Sequence, residues 1–70
     1  MKIVDQRGNE QEVFDLDLKD CKLYGQPKSL KKPEVLLGEY ASIKRAIDVM
    51  AEAISINSQD KNLIYTMPAQ

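Results

Sequence analysis

Asp15, Asp17 and Asp20 form the densest carboxylate cluster in this chain. On an extended strand Asp15 and Asp17 share a face, about 7 Å apart. Two carboxylates at that spacing could hold a cation or act as acid and base. They could equally be a solvated strand face whose charges discourage pairing with another chain. The spacing matches neither a calcium loop nor a zinc-binding helix, so the solvated face is the expected reading. The second group is basic. Residues 19–32 hold five lysines and one aspartate. Lysines in such a segment can contact phosphates, and nearby tyrosines can stack on a base. Tyr24, Lys28, Lys31, Lys32 and Tyr40 are the candidate contacts for an anionic ligand. Nucleic acid is not the expected partner, because the net charge is -1 and the basic segment has no arginine. No RNP-like or helix-turn-helix pattern appears either.

Histidine is absent and cysteine occurs once, at Cys21. The commonest general base and metal ligand is therefore missing, and no internal disulfide can form. With no histidine to activate it, Cys21 is expected to be a small, buried, apolar side chain in a reducing compartment. Neither catalysis nor a cofactor is expected.

The elements that would carry these residues fit into one small domain of 70 residues. A core of this size is marginal, so an oligomer is expected. Lys2 to Asp5 reads as a short strand, and Arg7-Gly8-Asn9 as a turn. Gln11 to Leu18 alternates, with Phe14, Leu16 and Leu18 on one face and Val13, Asp15 and Asp17 on the other. The two strands make an N-terminal hairpin over residues 1–18. Residues 19–33 form a basic region. In it Cys21, Leu23 and Tyr24 either continue a strand or start a third. Gly25-Gln26-Pro27 ends that stretch, and Lys28 to Pro33 is a polar loop expected to be the most mobile segment. Residues 34–67 form a strand–helix–strand unit. Val35 and Leu37 share one strand face and Leu36 and Tyr40 the other. Gly38 lies between them and leaves room for close approach of another group.

Ser42 caps a helix predicted from Ile43 to about Ile56. At 100° per residue Ile43, Ala46, Ile47, Met50, Ala53 and Ile54 form the core-facing stripe, and Val49 and Ile56 widen it. That surplus makes Val49, Ala53 and Ile56 the candidate partner or oligomer interface. The last strand runs from Leu63 to Met67, with Leu63, Tyr65 and Met67 on one face. Its return to the sheet could be parallel or antiparallel. The predicted fold class is α+β: a small, mostly antiparallel sheet in ββ(β)βαβ order with one amphipathic helix packed on one face. No apolar run approaches a membrane span and no signal-peptide pattern opens the chain. A cytoplasmic location, with no membrane partner, is expected.

The segment Leu37-Gly38-Glu39-Tyr40-Ala41-Ser42, with Arg45-Ala46 and Val49-Met50, resembles small uncharacterised proteins of phages and prophages of Gram-positive bacteria. Those proteins open like Met1-Lys2-Ile3-Val4-Asp5-Gln6 and end in a Tyr-x-Met-Pro tail like Tyr65-Thr66-Met67-Pro68. The match covers about half the chain. Gln11 to Lys32 lies outside it, and the turn between helix and last strand is shorter here. The resemblance implies a non-enzymatic accessory protein of a bacterial host cell that binds a host protein. The alternative is a protein that sequesters a nucleotide-like signal at a subunit interface.

Overall fold

The computed structural model describes residues 1–28 and 31–70. Six strands and one helix follow in the order β1 (Lys2–Val4), β2 (Glu10–Glu12), β3 (Asp15–Lys19), β4 (Lys22–Gln26), β5 (Val35–Glu39), α1 (Ile43–Gln59) and β6 (Ile64–Thr66). The class is α+β. The strands divide between two three-stranded sheets, β2-β1-β6 and β3-β4-β5, where the sequence suggested one.

The division comes at Val13 and Phe14. Unbroken alternation from Gln11 to Leu18 would place Phe14 with Leu16 and Leu18. Instead the chain turns a corner there. Val13 is buried, and Phe14 is 71% exposed. Val13 N–H donates to Met1 O in the first sheet, and Phe14 N–H donates to Gln26 O in the second. One predicted strand is thus two, and the predicted 1–18 hairpin is β1 with β2 only, paired antiparallel. Gly8, at φ 88°, makes the intervening turn.

β3 and β4 form the hairpin that the sequence left open, closed by the two-residue turn Asp20-Cys21. Asp20 has φ 55°, a conformation that aspartate tolerates better than most residues. Cys21 is half-buried. β4 ends within Gly25-Gln26-Pro27 as predicted, at Gln26. Gly25 itself lies inside the strand, where a Cβ would collide with Val13 Cγ1 and sit 3.2 Å from Leu37 Cδ1. β5 completes the sheet antiparallel to β4, with an irregularity at Leu23 and Tyr24. Ser29 and Leu30, inside the predicted polar loop, lie outside the described residues.

α1 begins at the predicted cap, where Ser42 Oγ accepts from Arg45 N–H at 3.1 Å. The helix runs three residues past the predicted end, to Gln59. After it, β6 pairs with β1, not β5, and runs parallel to it. The strand–helix–strand unit therefore crosses from one sheet to the other. α1 contacts β3, β4 and β6 and roofs both sheets. Ile3, Val13, Leu23, Leu37, Val49, Tyr65 and their neighbours fill the core beneath it. No helix among the described residues is long and apolar enough to cross a membrane.

Candidate functional site

The helix presses its smallest apolar residues onto the sheets. Ala46, Val49 and Ala53 are each no more than 1% exposed. Short side chains there let the helix approach both sheets closely. Met50 and Ile56, half-buried, flank this row. The predicted interface of Val49, Ala53 and Ile56 is therefore corrected: Val49 and Ala53 are core, and Ile56 packs at its border. The sequence placed the apolar arc properly and its centre wrongly. Periodicity gives the width of an arc, but the neighbours determine which edge of it is covered.

The uncovered edge is Ile43, Ile47 and Ile54, which are 52%, 44% and 44% exposed. At 100° per residue they fall within about 40° of one another on the helix circumference. Half-buried Met50 joins this stripe to the core row, and Lys44, Ser55 and Ser58 border its other side, all exposed.

The opposite flank is saturated with contacts. Arg45 donates from Nε and Nη2 to Gln70 O at 3.0 and 2.9 Å and lies over the Tyr40 ring. Tyr65 Oη donates to Glu52 Oε1 at 3.0 Å, and Tyr40 Oη donates to Pro68 O at 2.9 Å. Burial raises the Tyr65 phenol well above the ordinary tyrosine value, and the Glu52 carboxylate raises it further. Burial also raises Tyr40. Gln6 closes the seam between the sheets. Its N–H donates to Leu37 O, its Nε2 to Glu39 O, Pro68 O and Ala69 O, and its Oε1 accepts from Glu39 N–H at 2.8 Å. The expected close approach at Gly38 is this side chain, whose Cδ would be 3.0 Å from an added Cβ.

The candidate anion contacts are not gathered. Tyr40 is buried in the core, not paired with Leu36 on an outer face. Tyr24 is half-buried on the outer face of β4, its ring 5.2 Å from Lys19 Nζ. Lys28 and Lys32 line a shallow cleft of about 310 Å³ with Glu12 and Pro27, and Lys28 is ion-paired with Glu12 at 3.3 Å. Lys31 is exposed. The carboxylate cluster has local duties. Asp15 Oδ1 accepts from Leu16 N–H at 2.8 Å, Asp17 lies 4.0 Å from Lys19 Nζ, and Asp20 is in the turn.

Two residues that organise the molecule were not singled out in the sequence. One is Gln6, whose neighbours come from two distant segments, residues 37–39 and 68–69, and leave no local pattern. The other is Asp5, which is buried. Its carboxylate accepts from the Arg7 and Asn9 amides at 2.9 and 3.0 Å and from the Arg7 and Gln11 side chains. Burial works against its ionisation, but these donors outweigh it and hold the carboxyl below the usual range. An Asp two residues before Arg-Gly-Asn is an Asx-turn pattern, a signal strong enough to have found it. No family model, curated protein or solved structure matches this chain.

Proposed function

We propose that this chain is a protein-binding module, not an enzyme, and that its partner docks on the Ile43–Ile47–Ile54 stripe of α1. The observation that carries this reading is the exposure of three isoleucines on one flank of a helix whose adjacent row already closes the core. An apolar stripe rimmed by polar residues is the usual mark of a protein contact. Isoleucines at this spacing suit a partner that offers an apolar groove to a helix. The resemblance of Leu37 to Met50 to phage and prophage proteins supports a host protein as that partner, in the bacterial cytoplasm.

The test compares wild type with Ile47→Lys/Ile54→Lys, both immobilised and exposed to bacterial lysate. Both side chains point away from the core, so the variant should keep the wild-type circular dichroism spectrum. The expected result is a protein enriched at least tenfold on wild type and lost from the variant. Equal capture by both, or by neither, overturns the reading.

A further inference from the structure

We propose that a second copy of this chain pairs with β6 edge to edge, antiparallel about a twofold axis, so that the β2-β1-β6 sheet becomes a six-stranded sheet across two subunits. This surface is separate from the isoleucine stripe and does not rest on the function proposed for it.

The two sheets have four edge strands, β2, β6, β3 and β5. Unpaired edges invite strand addition, and natural proteins block them with charge, loops or side chains. β2 carries Glu10 and Glu12. β3 carries Asp15 and Asp17, and the Asp15 carboxylate occupies the Leu16 N–H at 2.8 Å. β5 is covered by the preceding loop: Gln6 N–H reaches Leu37 O, Gln6 Oε1 takes the Glu39 N–H, and Arg7 Nη2 reaches Leu36 O at 3.3 Å. Among the described residues, none of these devices is found on β6. Leu63-Ile64-Tyr65-Thr66-Met67 contains no charged residue and no proline. Leu63 and Ile64 are 46% and 49% exposed.

The register fixes what that edge offers. Met67 N–H donates to Val4 O at 2.8 Å, and Ile3 is opposite Tyr65. By the alternation of a parallel ladder, Tyr65 also turns its N–H and C=O toward β1. Ile64 and Thr66 therefore turn theirs outward. A twofold axis at Tyr65 sets Ile64 opposite Thr66 of the second copy, and the reverse. Both are hydrogen-bonded pairs of an antiparallel ladder, so the edge is complementary to itself.

Charge favours the same arrangement. The bond from Tyr65 to Glu52 puts the Glu52 flank of α1 above β6. Along that side the helix runs from basic (Arg45) to acidic (Asp48, Glu52). A twofold mate runs the other way and presents its acidic end to the first copy's basic end. A stable interface covers about 800 Å² per partner. Three strand residues fall short of that, so the pairing has to include the helix flank.

Sedimentation velocity from about 5 to 500 µM tests the proposal, with circular dichroism as the check on folding. Ile64→Lys puts a charge on the open edge. Thr66→Pro removes an outward donor while leaving the ladder to β1 intact. Using both keeps the test sound if one of them fails to fold. The expected result is a wild-type dimer that forms with concentration. Each folded variant should dissociate at least tenfold more readily, and Ile47→Lys/Ile54→Lys should dimerise as wild type does. A wild type that stays monomeric throughout, or a dimer indifferent to the edge variants, overturns the proposal. So does a dimer lost only when the isoleucines are replaced.

Discussion

On the flank of α1 that faces Tyr40 and Tyr65, Arg45 holds Gln70 O and Glu52 holds the Tyr65 hydroxyl. On the opposite flank Ile43, Ile47 and Ile54 leave about half their surface in water. Between these flanks Ala46, Val49 and Ala53 are shut inside the core. The buried row is fully used by the fold, and the polar groups of the first flank are held by contacts within the chain. The isoleucine flank does little for the isolated chain, because helix propensity would be served as well or better by alanine, lysine or glutamate there. Apolar residues without a structural duty are the strongest functional hint in the molecule.

Substitutions on the two apolar rows sharpen this contrast most. Val49→Glu buries a charge with no partner, which costs more than about 4 kcal/mol. A domain of this size has on the order of 5 kcal/mol in all. The variant should be largely unfolded by circular dichroism at 25 °C. Ile47→Glu, on the exposed row, should move the unfolding free energy by no more than about 0.5 kcal/mol in a urea titration. If Val49→Glu folds and Ile47→Glu does not, the helix is rotated so that Ile47, not Val49, faces the core.

Gly25→Ala gives the next largest effect and probes the closed side from below. The new methyl meets Val13 Cγ1 and Leu37 Cδ1 where the two sheets join. Overpacking of this kind costs about 1–3 kcal/mol, read as a lower urea midpoint with an unchanged slope. An unchanged midpoint would mean that the seam is looser than the core row above it.

The Val13–Phe14 corner and the helix rows also mark how far the sequence could be read. Ser42, Gly8, Gly38 and the arc of α1 were legible because caps, turns and periodicity are local. So was the α+β class. The split into two sheets was not legible. Val13 and Phe14 interrupt the alternation by a single residue, which pattern alone reads as continuity, while the hydrogen bonds to Met1 and Gln26 that force the corner come from elsewhere in the chain. The same limit governs the candidate sites. Val49 and Ile47 belong to one apolar arc, and only the packing of α1 against β3, β4 and β6 distinguishes the covered row from the open one. The openness of β6 depends on how the other edges are sealed, and much of the sealing of β5 is done by Gln6, more than thirty residues away in the chain.

The smallest effect is expected at high pH and belongs to the saturated flank. The Tyr65 phenol is raised above its ordinary value by burial first and by its bond to Glu52 second. Its surroundings also include the Tyr40 phenol, which raises it further, and Arg45, which lowers it. The folded chain therefore keeps the Tyr65 proton at a pH where the unfolded chain has lost it, above about 10. The folded state then binds more protons than the unfolded one, and stability falls as pH rises. Below about pH 9 both states hold the proton and Tyr65 contributes no slope. Tyr65→Phe should lose the Glu52 bond and some stability at neutral pH. Its urea midpoint should then decline less between pH 9 and 11 than that of wild type, with a residual slope from Tyr40. If the two declines run parallel, the Tyr65 hydroxyl is not sheltered. The contrast between a sealed flank and an open one would then rest on the isoleucines alone.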